Sequence, residues 1–148
     1  MMLSKSCQYA LKALLFLAQR PMPESPMPAS EIAMAIDAPE AFLAKTLQHL
    51  NQKGLVSSVK GNQGGFFLTP AQSKMRLSDV IQAIDGDDAL HTCLLGTNPC
   101  NPEKPCILHR HFVSIRKEFN DFFTQHRIES FRPDNDQDFS MSYCLGNF

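Results

Sequence analysis

Long apolar runs are missing from this 148-residue sequence. The longest covers only residues 13–18, against the ~20 residues a helix needs to span a bilayer. That excludes a helical membrane protein. A secretory leader is missing as well: residues 1–19 carry Lys12 inside their apolar stretch, and no small-residue cleavage site follows. We therefore expect a cytoplasmic protein. Net charge is almost absent at −1, which excludes a surface uniformly of one sign. There is no internal repeat, no low-complexity tract and no catalytic constellation, so the sequence does not read as an enzyme. Cysteine is sparse, five in all.

Three of those five cysteines fall in one short segment, HTCLLGTNPCNPEKPCILHRH, as Cys93, Cys100 and Cys106, with His109 close behind. Thiolate and imidazole are soft ligands suited to iron–sulfur clusters and zinc. In a reducing compartment, clustered cysteines favour metal or redox chemistry over structural disulfides. Gly96, Asn98, Pro99, Pro102 and Pro105 make the segment an irregular loop, able to fold its thiols around a centre. From the residues alone, a cluster and a tetrahedral zinc site are equally good readings. His109 is a ligand or merely the first residue of a helix, and His91 and His111 flank the site or face solvent.

The near-zero charge conceals an asymmetry. Residues 1–80 have eight Lys or Arg against five Asp or Glu, and residues 81–148 have six against ten. The front half suits a phosphate backbone. Apolar positions at Tyr9, Leu11, Leu14, Leu15, Leu17 and Ala18 predict a first helix over 3–19, capped by Ser4 and stopped by Pro21. A short helix capped by Ser30 places Ile32, Ala33 and Ile36 on one face. A second helix over 39–53, with Pro39 at its first position, turns Phe42, Leu43, Leu47 and Leu50 inward and ends at Gly54. This is a helix-turn-helix pattern. Strand-like residues 55–59, the turn KGNQGG at 60–65 and a returning strand at 66–69 follow it. That order is a winged helix. A helix begins at Leu77 and precedes the cysteine loop. After the loop, Leu108, Phe112, Ile115, Phe119, Phe122 and His126 are spaced 4, 3, 4, 3, 4, a heptad-type stripe of about five turns. Its partner is the first helix, a second subunit, or both. The tail from Ser130 is polar and acidic and reads as loose.

Several segments in this order resemble the IscR/NsrR-type family of bacterial winged-helix regulators, the Rrf-two superfamily. They are YALKAL at 9–14, FLAKTLQHL at 42–50, the wing from Gly54, LSDVIQAIDG at 77–86, and the three cysteines with CILH at 106–109. The likeness covers about residues 2–127. It implies a mostly α fold with a small β-hairpin: a winged helix-turn-helix DNA-binding domain at 1–85, and a cysteine loop, dimerisation helix and polar tail at 86–148. It implies a homodimer on palindromic double-stranded DNA, with a [2Fe-2S] or [4Fe-4S] cluster on Cys93, Cys100 and Cys106. The fourth ligand is His109 or a residue of the partner's first helix. Here Cys7 and Gln8 occupy the segment where some relatives place an acidic ligand. The spacing of six residues between Cys93 and Cys100 departs from the commoner five. Cys144 takes no role from the likeness.

The recognition helix is expected to read DNA through Glu40, Ala41, Ala44, Lys45 and Gln48. Gln pairs well with adenine edges, and Glu40 accepts from cytosine or simply favours a helix N-terminus. Ser4, Lys5 and Ser30 are expected phosphate contacts, and Lys60, Asn62 and Gln63 form the wing tip. The expected function is a DNA-binding transcriptional regulator, a repressor whose operator affinity follows an iron–sulfur cluster. The alternatives are a zinc or thiol-oxidation switch on the same fold, and an electron-transfer protein.

Overall fold

The computed structural model describes residues 3–96 and 98–132. Helix α1, Lys5–Gln19, starts where expected: the Ser4 hydroxyl accepts the Cys7 N–H at 3.0 Å. Its buried positions, Cys7, Ala10, Ala13, Leu14, Leu17 and Ala18, fall on one helical face. The small residues along it let neighbouring helices approach closely, and α1 becomes the central helix of the molecule.

Helix α2 (Ala29–Ala35) and helix α3 (Glu40–Gln52) form the helix-turn-helix. Pro28, rather than Ser30, stands at the start of α2, and Ser30 lies inside its first turn. Pro39 precedes α3 as its cap. Between the helices Asp37 adopts φ 50°, a left-handed conformation that Asp tolerates better than most residues. Leu43, Leu47 and Leu50 point inward as expected, joined by Thr46. Phe42 does not: it is 39% exposed and packs edge-on against Tyr9, ring centroids 5.7 Å apart. It lies one position outside the stripe that the three leucines define. Gly54, at φ 77°, closes α3 by donating its N–H to Asn51.

The hairpin is shorter than the sequence suggests. Strand β1, Ser57–Val59, pairs antiparallel with β2, Gly65–Phe67, in the register Ser58↔Phe66. On its other edge β2 pairs with the Pro-rich loop: Met27 and Phe66 exchange backbone hydrogen bonds at 2.9 and 2.8 Å, and Leu68 N–H reaches Pro23 O at 3.0 Å. Gly65 is required at this seam. A Cβ there would stand 2.2 Å from a Met27 backbone atom.

A short helix α4, Pro70–Ser73, was not expected. A reciprocal capping box between Thr69 and Gln72 makes it. Helix α5, Leu77–Asp85, buries Leu77, Val80 and Ile81. Helix α6, His109–Gln125, matches the long stripe. It does not lie along α1, though. Only Phe123 is buried, with Phe119 packed beside the core, while Ile115 is 57% exposed and Phe122 43%. The place on α1 goes to a 3₁₀ turn, Ile128–Phe131. Ile128 is fully buried, and Arg132 donates to Ala18 O at 3.0 Å. The chain is thus tied down past Ser130, where a loose tail was expected. Cys144 and the tail beyond residue 132 lie outside the described residues.

The core joins α1, α2, α3, α5 and the 3₁₀ turn through Leu14, Leu17, Ile32, Leu43, Leu47, Leu50, Ile81 and Ile128. Each such side chain stabilises the fold by ~1.5–3 kcal/mol on burial. Among the described residues, no helix is long and apolar enough to cross a membrane.

Candidate metal centre and nucleic-acid interface

Gly86, at φ 89°, ends α5 and releases the chain into the cysteine loop. The loop contains a small antiparallel ladder. Cys100 N–H donates to His91 O at 2.9 Å, Cys93 N–H donates to Asn98 O at 2.9 Å, and Thr92 faces Pro99 between them. Pro99 thus occupies a pair position where the ladder needs no N–H. Strand alternation directs Cys93 and Cys100 to the same face of this ladder. Cys106 follows Pro105, and its carbonyl accepts the His109 N–H at 3.0 Å in the turn that feeds α6.

The four donors meet in two pairs. Cys93 Sγ lies 3.8 Å from Cys106 Sγ, and Cys100 Sγ lies 3.0 Å from His109 Nδ1. All four are half-buried. Among the described residues, no three such donors converge on a single point. The Leu95 N–H directed at the Cys93 sulfur is the main influence holding that thiol below its ordinary value. Cys106, the Gly96 N–H and the Arg116 charge assist, and burial opposes them. Arg116 stands two turns along α6 from His109, so both project from one side of the helix. Its Nη1 is buried and unpartnered.

This donor set fits an iron–sulfur centre. Three thiols and an imidazole are suitable ligands, and backbone N–H groups directed at a ligand sulfur are the usual tuning contacts. Cys7 does not belong to the set. It is fully enclosed in the core of its own chain, and burial first, then the charge and hydrogen bond of Asp85, push its thiol up to about 12.

In the helix-turn-helix, Glu40, Ala41, Lys45 and Gln48 of α3 are exposed and Ala44 is half-buried. Lys60, Asn62 and Gln63 are exposed at the hairpin tip, as are Lys5 and Ser30. Ser4 is exposed but occupied: its N–H donates to Asp85 Oδ2 at 2.9 Å, and its hydroxyl donates to Asp85 Oδ1. His49 of α3 contacts Ala83 O through Nε2 at 3.1 Å. The last turn of α5 therefore holds both the start of α1 and the end of α3. A groove of about 410 Å³ runs between them, lined by Ser6, Phe42, Lys45, His49 and Asp85. Asp85 and Arg116 were not singled out from the sequence. Asp85 meets Ser4 across 81 residues, which no local pattern reveals. The i, i+7 offset of Arg116 from His109 was a usable signal.

A helix-turn-helix with a paired wing behind it defines a winged-helix DNA-binding protein. The sequence profile of Rrf2, described as an iron-dependent transcriptional regulator, matches residues 3–133. The chain belongs to the Rrf2 family of transcriptional regulators. It is 34% identical over 125 residues to a putative HTH-type transcriptional regulator of Aquifex aeolicus, covering 83% of this chain and 85% of that one. Its fold is similar to CymR, the global cysteine regulator of B. subtilis, with a TM-score of 0.68 at 20% identity, covering 90% and 99% of the two chains. It is also similar to T. potens IscR, with a TM-score of 0.65 at 19% identity, covering 97% and 96%. The expected family and fold hold, and the chain is a DNA-binding regulator rather than an enzyme.

Proposed function

We propose that this regulator is a homodimeric repressor whose affinity for a palindromic operator depends on an iron–sulfur cluster. Cys93, Cys100, Cys106 and His109 would hold it. The observation that carries this reading is the gathering of the four donors into two close pairs, at 3.8 and 3.0 Å, in one half-buried loop. Residues 1–85 form the DNA-binding part, and residues 86–148 the sensing and dimerising part. His109 is favoured as fourth ligand because it already touches Cys100, whereas Cys7 is sealed in the core. When bound, the cluster supplies a redox-sensitive and nitric-oxide-sensitive centre whose loss reports oxidation or iron shortage.

The chain's own residues carry the consequence. The loop begins one residue after Asp85, whose carboxylate holds Ser4, and two turns of α6 separate His109 from Arg116. A change in the loop's fold moves the end of α5, and with it the contacts to α1 and to His49 of α3. The open face of α6, with Ile115 and Phe122, supports a second subunit as its cover. In a two-fold dimer, shifting the recognition helices misaligns half-sites about one DNA turn apart. Lys45 and the wing residues hold phosphate, and Gln48 reads a base edge.

Anaerobic purification tests this reading. A brown protein containing iron and sulfide, whose gel shift on its own upstream DNA changes when nitric oxide is added, is the expected result. A colourless protein with stoichiometric zinc sinks the cluster. No shift in any metal state sinks the operator.

A further inference from the structure

We propose that Cys93 and Cys106 form a reversible disulfide when the loop is free of metal, giving the regulator a thiol-based oxidised state beside its metal-bound one. The two sulfurs lie 3.8 Å apart, and a bond of about 2.0 Å requires a closure of under about 2 Å. The described residues between them belong to no helix or strand longer than the small ladder, so the closure falls on irregular backbone. Both thiols are half-buried, which leaves them open to a small oxidant. The third thiol, Cys100, is already engaged with His109 at 3.0 Å. The loop therefore offers one thiol–thiol contact rather than three equivalent ones.

A hydroperoxide is the oxidant. One sulfur of the pair, Cys93, attacks the peroxide oxygen as its thiolate. The O–O bond breaks, a sulfenic acid forms, and the leaving oxygen departs as water after taking a proton. The Cys106 sulfur then attacks the Cys93 sulfur, the S–O bond breaks, and a second water leaves. Two thiols lose two electrons in total, and hydrogen peroxide is reduced to two waters. The product withdraws two of the four donors from metal and ties the ladder to the turn that starts α6. Iron cannot return until a reductant opens the bond. This consequence rests on the metal-binding reading; the disulfide itself does not.

The test uses the full chain, made metal-free by anaerobic chelation and given one equivalent of hydrogen peroxide. Remaining thiols are then alkylated and the peptides mapped by mass. The expected product is a Cys93–Cys106 cross-link, lighter by two hydrogens, with Cys100 alkylated and dithiothreitol reversing the change. Cys100→Ser should keep the link, and Cys93→Ser should abolish it. In urea the same link should form at least about tenfold more slowly, because the folded loop holds the pair together. A link to Cys100 instead, sulfinic acid without a link, or equal rates in urea would overturn the proposal. Iron uptake by the reduced protein is measured in parallel. A chain that forms the link yet never takes up iron refutes the cluster reading and leaves this one standing.

Discussion

Cys7 offers a quantitative test of the packing around α1. Its thiol is fully enclosed, and burial reinforced by Asp85 raises it from 9.0 to about 12. At pH 8 an ordinary thiol is ionised to about one part in ten, and Cys7 to about one part in ten thousand, so thiolate alone slows its alkylation by about a thousandfold. The same shift sets a pH dependence of stability. Above pH 9 the unfolded chain loses the Cys7 proton while the folded chain keeps it. Stability is therefore fully present below pH 9 and falls as pH rises toward 12, by at most ~4 kcal/mol across the three units and ~2 kcal/mol by pH 10.5. Urea melts at pH 8 and pH 10.5, for the parent and for Cys7→Ala, isolate this group because the variant keeps every other alkaline residue. Cys7→Ala starts ~1 kcal/mol less stable from the lost packing and should then lose ~2 kcal/mol less than the parent on the alkaline side. Parallel alkaline losses in the two proteins, or native alkylation of the Cys7 peptide within tenfold of its rate in urea, would refute the buried, neutral thiol. Either result would also reopen Cys7 as a ligand for a partner's metal.

Four further outcomes are expected. Lys45→Ala should weaken operator binding and reduce the slope of log affinity against log salt by about 0.9 if it holds one phosphate; Gln48→Ala should instead cost ~1–3 kcal/mol on the preferred site while leaving non-specific binding nearly unchanged, both read by fluorescence anisotropy across a salt series. Gly65→Ala should destabilise the wing seam by more than ~2 kcal/mol, because its Cβ meets Met27 backbone at 2.2 Å at φ 150°, and a thermal melt within ~1 °C of the parent would contradict that. Ile115→Asp, at an exposed position of α6, should leave the fold intact by circular dichroism and shift sedimentation from dimer to monomer.

Much of the DNA-binding half was legible in the residues. Ser4 as a cap, the leucines of α3 and the glycine-rich turn carry local signals of period and backbone conformation. What escaped was decided by distant contacts or by near ties. Phe42 adjoins the stripe of Leu43, Leu47 and Leu50, and one position's offset leaves it at the edge against Tyr9. The capping box of Thr69 and Gln72 is written in the chain, but Thr69 also reads as the last residue of the strand expected over 66–69. Ile128 sits in a polar stretch with no periodicity, and its burial depends on a vacant face of α1. In the cysteine loop, the donors were legible and their pairing was not. The pairing follows from the ladder that sets Thr92 against Pro99, a register no spacing rule encodes.

The edge pairing of β2 with Met27 has a further consequence. The wing is hydrogen-bonded on both sides, to β1 behind α3 and to the loop that opens α2. It is therefore not a flap that swings independently of the recognition helix. Helix and wing are welded into one reading head, with Gly65 at the weld. A signal arriving through α5 has no hinge inside that head on which to act. It can only tilt or displace the head as a single body, so loss of binding should weaken helix and wing contacts together rather than one before the other.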